Sequence, residues 1–357
     1  MWDMRRAAST TAGMSSRLKK FSDFLVVNAL LQSDPATGMS VVPDTTPTLL
    51  AFFAVWCVNK ASPRITTYAS LYNYTAAIRA HCRDNGKGDP TRGTDGGPDP
   101  VYSGVMTGIK RKLAVTAGPP KRTPVSKRAL DLICDAALDT DYFDDHLGLN
   151  IAAAACFCWY LLLRIGEATT HDGKVHKPSH GERMDIEFFP SIDASKVTHA
   201  VFKLKVHKTS QFRTGYCLTL FSTGAKHDPV KLMVRLFEKQ PRSGPIFDFR
   251  SAAERQKGNE PHASRKEFVS LVTKCLELQG EDTRTIRIKG HSFRQGGCSA
   301  LLNLGIPEWL TSILGRWKSD CYKKYAFAGM DTIQDAMQKM ARSTTTFGVN
   351  QGQLTAI

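Results

Sequence analysis

The stretch from residue 291 to residue 325 constrains the fold of this chain most strongly, because it holds start and stop signals of several short helices in close succession. It reads HSFRQGGCSALLNLGIPEWLTSILGRWKSDCYKKY. Ser292 precedes an apolar-periodic segment and Gln295 follows three residues later, which predicts a helix with Ser292 as N-cap and Gln295 closing a capping box. His291 then stands just before the helix and Arg294 in its first turn, where backbone N–H groups and the helix dipole favour an anion.

Two further helices are predicted behind the first. Pro307 suits the first turn of the second helix, and Gly315 is placed to end it. The apolar stripe of this second helix consists of Leu310, Ile313 and Leu314. Ser319 or Asp320 can cap the third helix, which follows Trp317. One face of the third helix carries two tyrosines three residues apart, Tyr322 and Tyr325.

The charge of the chain favours a polyanionic partner. The 48 Lys and Arg residues outnumber the 33 Asp and Glu residues, and the formal net charge of +15 suits nucleic acid better than a neutral metabolite. Nine cysteines without a C-x-x-C pair are expected to be reduced in an intracellular protein. The apolar runs at 49–58 and 151–163 are shorter than the roughly 20 residues that span a bilayer, so we expect no membrane partner.

Hydrophobic periodicity predicts two domains. Residues 1–118 are predicted to form a helical domain and residues 126–357 a mixed domain, joined by a linker at 119–125 that is rich in proline and basic residues. The helices of the first domain are expected at 18–31, 49–58, 68–78 and 101–113. A Gly-, Pro- and Asp-rich segment at 84–100 is expected to be a flexible loop.

The second domain is expected to be mainly α with one small antiparallel β-sheet. Alternating apolar residues around 184–188 and 202–206 and the β-prone segment 216–221 supply three strands. Lys208 is then expected at a hairpin tip of this sheet. A last amphipathic helix is expected over 331–343.

These motifs together resemble the signature of the tyrosine recombinases, the phage-type integrases. The H-x-x-R motif of that family, its His or Trp, and its nucleophilic tyrosine match His291, Arg294, Trp317 and Tyr325. The earlier LR-x-x-E segment and the K-T hairpin turn of the family match Arg164, Glu167 and Lys208. Within the family, the wording GRWKSDCYKKY is most similar to recombinases of eukaryotic mobile elements.

The resemblance implies an N-terminal DNA-binding domain and a C-terminal catalytic domain that cleave and rejoin double-stranded DNA. The reaction would proceed through a covalent 3′-phosphotyrosine, without a metal or cofactor, and would serve site-specific recombination or integration. Members of the family assemble as tetramers on DNA, and the helix at 331–343 resembles the element that they pass to a neighbour. The protein would work in the nucleus of a eukaryotic host and otherwise in the cytoplasm.

Each matched residue suits one step of this chemistry. The phenol of Tyr325 can attack phosphorus and store the bond energy. Arg164 and Arg294 carry planar forks that stay charged and can grip non-bridging phosphate oxygens. Lys208 is the candidate general acid for the departing 5′ oxygen. The remaining three residues have supporting roles: His291 as a proton acceptor or phosphate donor, Trp317 as an N–H donor that packs the tyrosine helix, and Glu167 as an orienting residue.

Several alternatives remain open at the level of sequence. Tyr322 is the alternative nucleophile. A type IB topoisomerase shares the cleavage chemistry, and a catalytically silent DNA-binding descendant would share the fold. A loop at 171–180 contains three histidines, but it has no cysteine nearby and is expected to be solvated rather than a zinc site.

Overall fold

The chain consists of two compact units, Met1–Pro119 and Pro120–Ile357. The computed structural model describes residues 8–33, 40–41, 43–115, 123–170, 181–205, 215–239, 243–317, 319–320, 323, 332 and 337. The division between the units falls within the segment 119–125, for which the sequence predicts a linker. Among the described residues, no helix has both the length and the apolar character that crossing a membrane requires.

The first unit is a set of helices with one very short strand pair. Its elements are α1 (Ala8–Val27), β1 (Gln32–Ser33), β2 (Ser40–Val41), α2 (Pro47–Asn59), α3 (Tyr68–Asp84) and α4 (Pro100–Val115). The hydroxyl of Thr46 accepts the amide of Leu49 at the start of α2, and Thr67 accepts the amide of Ser70 at the start of α3. All four predicted helices are present, and α1 begins at residue 8 rather than at residue 18.

The segment between α3 and α4 is tied to α3 by a charged pair. It contains neither a named helix nor a named strand, as its composition predicts. The guanidinium of Arg79 donates to both carboxylate oxygens of Asp89, at 3.1 and 2.7 Å. Asp89 also accepts the amide and the hydroxyl of Thr91. A bidentate pair of this kind fixes the path of the loop, whereas the glycines alone would leave it free.

The second unit is built around one buried helix. Its elements are α5 (Lys127–Leu138), α6 (Asp145–Tyr160), α7 (Ile165–Ala168), β3 (Ile186–Phe189), β4 (His199–Leu204), β5 (Tyr216–Phe221), α8 (Pro229–Glu238), α9 (Ala252–Gln256), α10 (Arg265–Leu278), α11 (Ser292–Asn303) and α12 (Glu308–Leu314). Helix α6 is apolar on all sides and buried from residue 147 to residue 159, so it forms the centre of the core. Asp144 caps its N-terminus by accepting the amides of His146 and Leu147.

Three antiparallel strands form the sheet of this unit in the order β3-β4-β5. Phe202 on β4 lies opposite Ile186 on β3 and Leu218 on β5. These three residues are buried because alternate side chains of each strand face the core. The structure therefore confirms the predicted fold class, mainly α with a small antiparallel sheet. Lys208 falls in the connection between β4 and β5 and lies outside the described residues.

Helix α11 begins one residue earlier than the sequence predicts. His291 occupies the N-cap position without a side-chain cap hydrogen bond, and Ser292 is the first helical residue. The hydroxyl of Ser292 accepts the backbone amide of Lys289, at 2.9 Å, instead of an amide of the helix. The predicted capping box is therefore wrong, since the serine stabilises the preceding turn.

Two consecutive glycines allow α11 to approach its neighbours closely. A Cβ atom at Gly296 would overlap the carbonyl oxygen of Val125, and one at Gly297 would lie 2.5 Å from the carbonyl oxygen of Trp159. The indole N–H of Trp159 also donates to the carbonyl of Val125 at 2.9 Å. The G-G pair of the motif thus serves the packing of the helix that carries Arg294.

We expect Gly296→Ala to destabilise the second unit by about 3 kcal/mol, because the added methyl group meets backbone that cannot rotate away. Gly290→Ala is the matched control, since a Cβ there meets nothing within 4 Å. The control should change stability by no more than about 0.5 kcal/mol. Denaturant midpoints of the two variants measure the difference, and equal midpoints would contradict the packing argument.

Helix α12 lies within one residue of its predicted position, and part of its apolar stripe is exposed. Pro307 is its N-cap residue and Gly315 its C-cap residue. Ile313 of the predicted apolar stripe is 64% exposed, and Leu314 is exposed as well. Within the described part of the chain, this side of α12 is not covered by the core.

Candidate active site

Arg164 lies where the backbone turns sharply between α6 and α7. Leu162 ends α6 with a positive φ of 48°, a conformation that branched residues rarely adopt. Arg164 is then the N-cap residue of α7. The amide of the next residue, Ile165, donates to the carbonyl oxygen of Gly290 at 3.0 Å. This bond places the Arg164 turn beside the residue that precedes His291.

Glu167 is a buried carboxylate held by two guanidinium groups. Its Oε1 accepts Nη1 of Arg164 at 2.7 Å, and its Oε2 accepts the backbone amide of Arg164 at 2.9 Å. The same Oε2 accepts Nη2 of Arg316 at 3.0 Å. Burial alone would raise the pKa of the Glu167 carboxyl, but Arg316 and Arg164 outweigh it and hold the pKa below its usual value. Glu167 is therefore a carboxylate that orients Arg164.

Arg294 is buried behind the same turn, with 1% of its surface exposed. Its Nη1 donates to the carbonyl oxygen of Leu162, and its Nη2 donates to the carbonyl oxygen of Gly315. The guanidinium carbon lies 4.4 Å from the ring centroid of Trp317, in a cation–π arrangement. Arg294 thus joins the end of α6 to the turn after α12.

Arg316 is a member of this cluster to which the sequence analysis assigned no role. Its side chain is 4% exposed. Besides Glu167, it reaches the carbonyl oxygens of Leu161 and Leu162 at 3.2 and 3.3 Å. The only sequence signal was its place inside G-R-W, directly before Trp317. From the sequence alone, a basic residue at this position is expected to be an exposed surface charge. Only the tertiary structure shows that it is buried.

The structure brings four of the predicted site residues together, Arg164, Glu167, Arg294 and Trp317. Arg316 connects Arg294 to Glu167, because Arg316 and Arg294 both donate to the carbonyl oxygen of Leu162 and Arg316 also donates to Glu167. Arg294 also helps to lower the pKa of the Glu167 carboxyl, after burial, Arg316 and Arg164. His291 is half-buried at the N-terminus of α11. Two guanidinium groups bind the one carboxylate and that of Arg294 acts on it electrostatically, so these four side chains together carry net positive charge.

The arginines differ in how they meet solvent. The side chain of Arg164 is 22% exposed. Among the described residues, Glu167 is the only acceptor of a side-chain hydrogen bond from Arg164. The remaining N–H groups of this guanidinium have no acceptor in that set. Arg294, by contrast, uses both terminal nitrogens on backbone carbonyls. An anion that enters from solvent therefore meets Arg164 first.

Lys208, Tyr325 and Tyr322 lie outside the described residues, as do the histidines of 171–180. Of the predicted helix at 331–343, only residues 332 and 337 are described, and both are helical. Lys205, at the end of β4, is described. Its ammonium pairs with Glu182 at 2.7 Å and with Asp185 at 2.9 Å. Lys205 is thus held by carboxylates at the base of the β4–β5 connection.

One group of described residues has the composition of a metal site. Single ligand atoms of Glu254, His262 and Glu267 lie within 4.8 Å of one another. Nδ1 of His262 faces Glu267 at 3.2 Å, whereas Nε2 faces Glu254 at 3.7 Å. One ion would need a single ring nitrogen and both carboxylates on the same side. We therefore assign these residues no metal.

Glu167→Gln is expected to lower stability by about 2 kcal/mol or more near pH 7, because it leaves Arg316 buried without its counter-charge. The folded-state pKa of Glu167 lies below 4.5, so the ion pairs stabilise the fold above that pH and are lost as the pH falls through the folded pKa. The difference between wild type and variant should shrink below pH 4.5. Thermal melts between pH 7 and pH 3.5 test this, and a constant difference would contradict it.

Comparisons with known proteins give a match in structure only. A scan against protein-family models found no match, and a search of curated proteins found none either. The structure of a lambda integrase (75–356) dimer bound to a COC′ core site is similar, with a TM-score of 0.52 and 12% identity over 97% of this chain and 94% of that chain. The Tn1549 transposon integrase in complex with circular intermediate DNA gives a TM-score of 0.53 and 11% identity over 94% of each chain.

A third similar structure is the XerH site-specific recombinase bound to difH substrate in a pre-cleavage complex. Its TM-score is 0.52 and its identity 10%, over 90% of this chain and 76% of that chain. At such low identity, the similarity is one of fold. The chain has the tyrosine-recombinase fold that its sequence signature implies.

Proposed function

We propose that this chain cleaves and rejoins double-stranded DNA through a covalent 3′-phosphotyrosine on Tyr325, as a site-specific recombinase or integrase. The observation that carries the proposal is the convergence of Arg164, Arg294 and Trp317 from distant parts of the chain on one turn. The shared fold and the formal net charge of +15 agree with a DNA substrate. Neither feature alone specifies the chemistry.

The arrangement suits charge development at a phosphodiester. Preorganised guanidinium groups stabilise a phosphorane-like transition state because they need no reorganisation when the charge appears. Glu167 would hold Arg164, and Arg164 would contact a non-bridging oxygen of the phosphate from the solvent side. Arg294, whose terminal nitrogens bond backbone carbonyls in this structure, would add its positive charge to the stabilisation of the phosphate. His291 would exchange a proton with Tyr325 or donate to phosphate, and Lys208 would protonate the leaving oxygen.

A nicked suicide duplex tests this function directly. Cleavage near the nick releases a short strand, so rejoining fails and the covalent adduct accumulates. We expect an adduct that survives denaturation and carries the 3′ end of the cleaved strand. The absence of an adduct on the DNA that flanks this gene in its element would favour a silent DNA-binding descendant.

A type IB topoisomerase is the second candidate, since it shares the nucleophile and the cleavage step. Relaxation of supercoiled plasmids that lack any recognition site would favour it. A recombinase requires its site and a partner duplex.

We further propose assembly as a tetramer on DNA, in which the last helix passes to a neighbour. Normal recombination by a chain truncated before residue 331 would argue against exchange of the last helix.

Lys208→Ala is expected to slow cleavage by about 10²-fold or more, because general-acid catalysis is lost. A substrate with sulfur in place of the bridging 5′ oxygen should restore most of the rate, since a thiolate with a pKa of about 8.5 leaves without protonation. Lys205→Ala is the matched control, because Lys205 is already paired with two carboxylates. Equal slowing of Lys208→Ala on both substrates would exclude the general-acid role.

A further inference from the structure

We propose that Arg316 is a positioning residue for strand cleavage, which ties the turn that precedes the nucleophile segment to the Arg164 turn. The inference rests on the proposed function. Arg316 stands between Gly315, which Arg294 holds, and Trp317, whose ring covers the Arg294 guanidinium. The chain then runs eight residues from Trp317 to Tyr325. The position of this turn therefore limits where the tyrosine can reach.

The backbone conformation of Arg316 is one that favours glycine over a residue with a side chain. Its φ is +57°, in the left-handed region that favours glycine. A residue with a Cβ atom is strained at such a position, and strain of this kind persists only where the surrounding structure compensates for it. The amides of Arg316 and Trp317 donate to the carbonyl oxygens of Ile313 and Ser312 at 2.9 and 3.0 Å, which closes the C-terminus of α12 around this residue. The contacts of the guanidinium add to this compensation, which glycine could not supply.

The guanidinium of Arg316 makes several hydrogen bonds at once, which requires its planar set of donors. It binds the Glu167 carboxylate at 3.0 Å and two successive carbonyl oxygens at the end of α6. The carbonyl of Leu162 is shared with Arg294. A shift of the 315–317 turn would therefore break the contacts of both arginines at once. Lysine could replace the charge but not the planar set of donors.

Arg316 also sets the charge that Arg164 presents. Glu167 carries one negative charge and touches two guanidinium groups, Arg164 and Arg316. With Arg316 in place, the three groups sum to one positive charge. Without it, Glu167 would neutralise Arg164, and the attraction for a phosphate would weaken. Arg316 acts through these two residues and needs no contact with DNA.

Hydrogen exchange of the full chain without DNA tests whether Arg316 holds the 315–317 turn in place. Arg316→Gly removes the side chain while relieving the backbone, so a loss of order cannot be blamed on strain. We expect amides of residues 312–320 to exchange roughly tenfold faster than in the wild type. Arg284→Gly removes an equal charge from a side chain that is 91% exposed and should leave this exchange unchanged. Unchanged exchange in Arg316→Gly would overturn the proposal.

Kinetics on the suicide duplex separate positioning from stability. Arg316→Gly and Arg316→Lys should both bind the duplex within about threefold of wild type and form the adduct about 100-fold more slowly. Combining Arg316→Gly with Glu167→Gln should slow cleavage by much less than the product of the single effects, because both act through one contact. If wild type forms an adduct and Arg316→Gly forms it equally fast, this inference fails alone. If wild type forms none, the proposed function fails and the exchange experiment still decides whether the tie exists.

Discussion

Tyr325→Phe is expected to abolish covalent attachment to DNA, whereas Tyr322→Phe should keep it. Removing the hydroxyl removes the atom that we propose attacks phosphorus. By comparison with the loss of other enzymatic nucleophiles, the rate should fall by at least about 10⁴-fold. Adduct formation on the nicked suicide duplex, followed on a denaturing gel, measures it.

The two tyrosine variants serve as controls for each other. They remove the same atom three residues apart in the same predicted helix. Both variants should bind the duplex as wild type does, because binding depends on basic side chains and not on a phenol. The reverse pattern, with Tyr322→Phe inactive and Tyr325→Phe active, would assign the nucleophile to Tyr322.

Arg164→Lys is expected to slow cleavage by about 10²- to 10³-fold, with little change in duplex affinity. Lysine keeps the charge but loses the planar donors, so it can bind either Glu167 or a phosphate oxygen but not both in the required geometry. The side chain is already held by Glu167 at 2.7 Å, so the wild-type geometry exists before DNA binds. Single-turnover adduct formation at saturating protein separates the rate from the affinity.

Arg128→Lys is the matched control for this prediction. Arg128 pairs with Glu281, and its side chain is 80% exposed. An exposed pair of this kind contributes little, so the same substitution there should leave cleavage unchanged. If Arg164→Lys cleaved at the wild-type rate, the Arg164 turn would not be the phosphate site.

Arg294 is a less suitable residue for such a test, although the sequence treats it as equivalent to Arg164. It is buried, and its terminal nitrogens bond the carbonyls of Leu162 and Gly315. A substitution would remove this donor from the carbonyl of Gly315 and leave Arg316 as a donor to the carbonyl of Leu162, so it would destabilise the domain as well as slow the reaction. The two arginines differ in suitability because their guanidinium groups differ in exposure to solvent. This exposure depends on the tertiary structure.

Much of the fold could be predicted because its signals are local. Helices α2, α3 and α4 were predicted from apolar periodicity, and the structure adds the caps Thr46 and Thr67 at the start of α2 and α3. The three strands of the second unit follow from alternating apolar residues. The position of Ser292 shows where local reasoning failed. A serine at the start of a helix can cap the helix or stabilise the preceding turn. The same local sequence is compatible with both conformations, and the structure has the second.

The sequence by itself determined which residues are the candidates for the chemistry and in what order they occur, because residue types and short spacings need no tertiary information. Only the tertiary structure decided how they act together. Arg294 reaches a carbonyl 132 residues away, and Arg316 a carboxylate 149 residues away. Helical and strand periodicities describe only neighbours within a few positions, so they cannot predict such pairs. The burial of Arg294, the role of Arg316 and the solvent-facing position of Arg164 all depend on contacts between α6, α11 and the turn after α12.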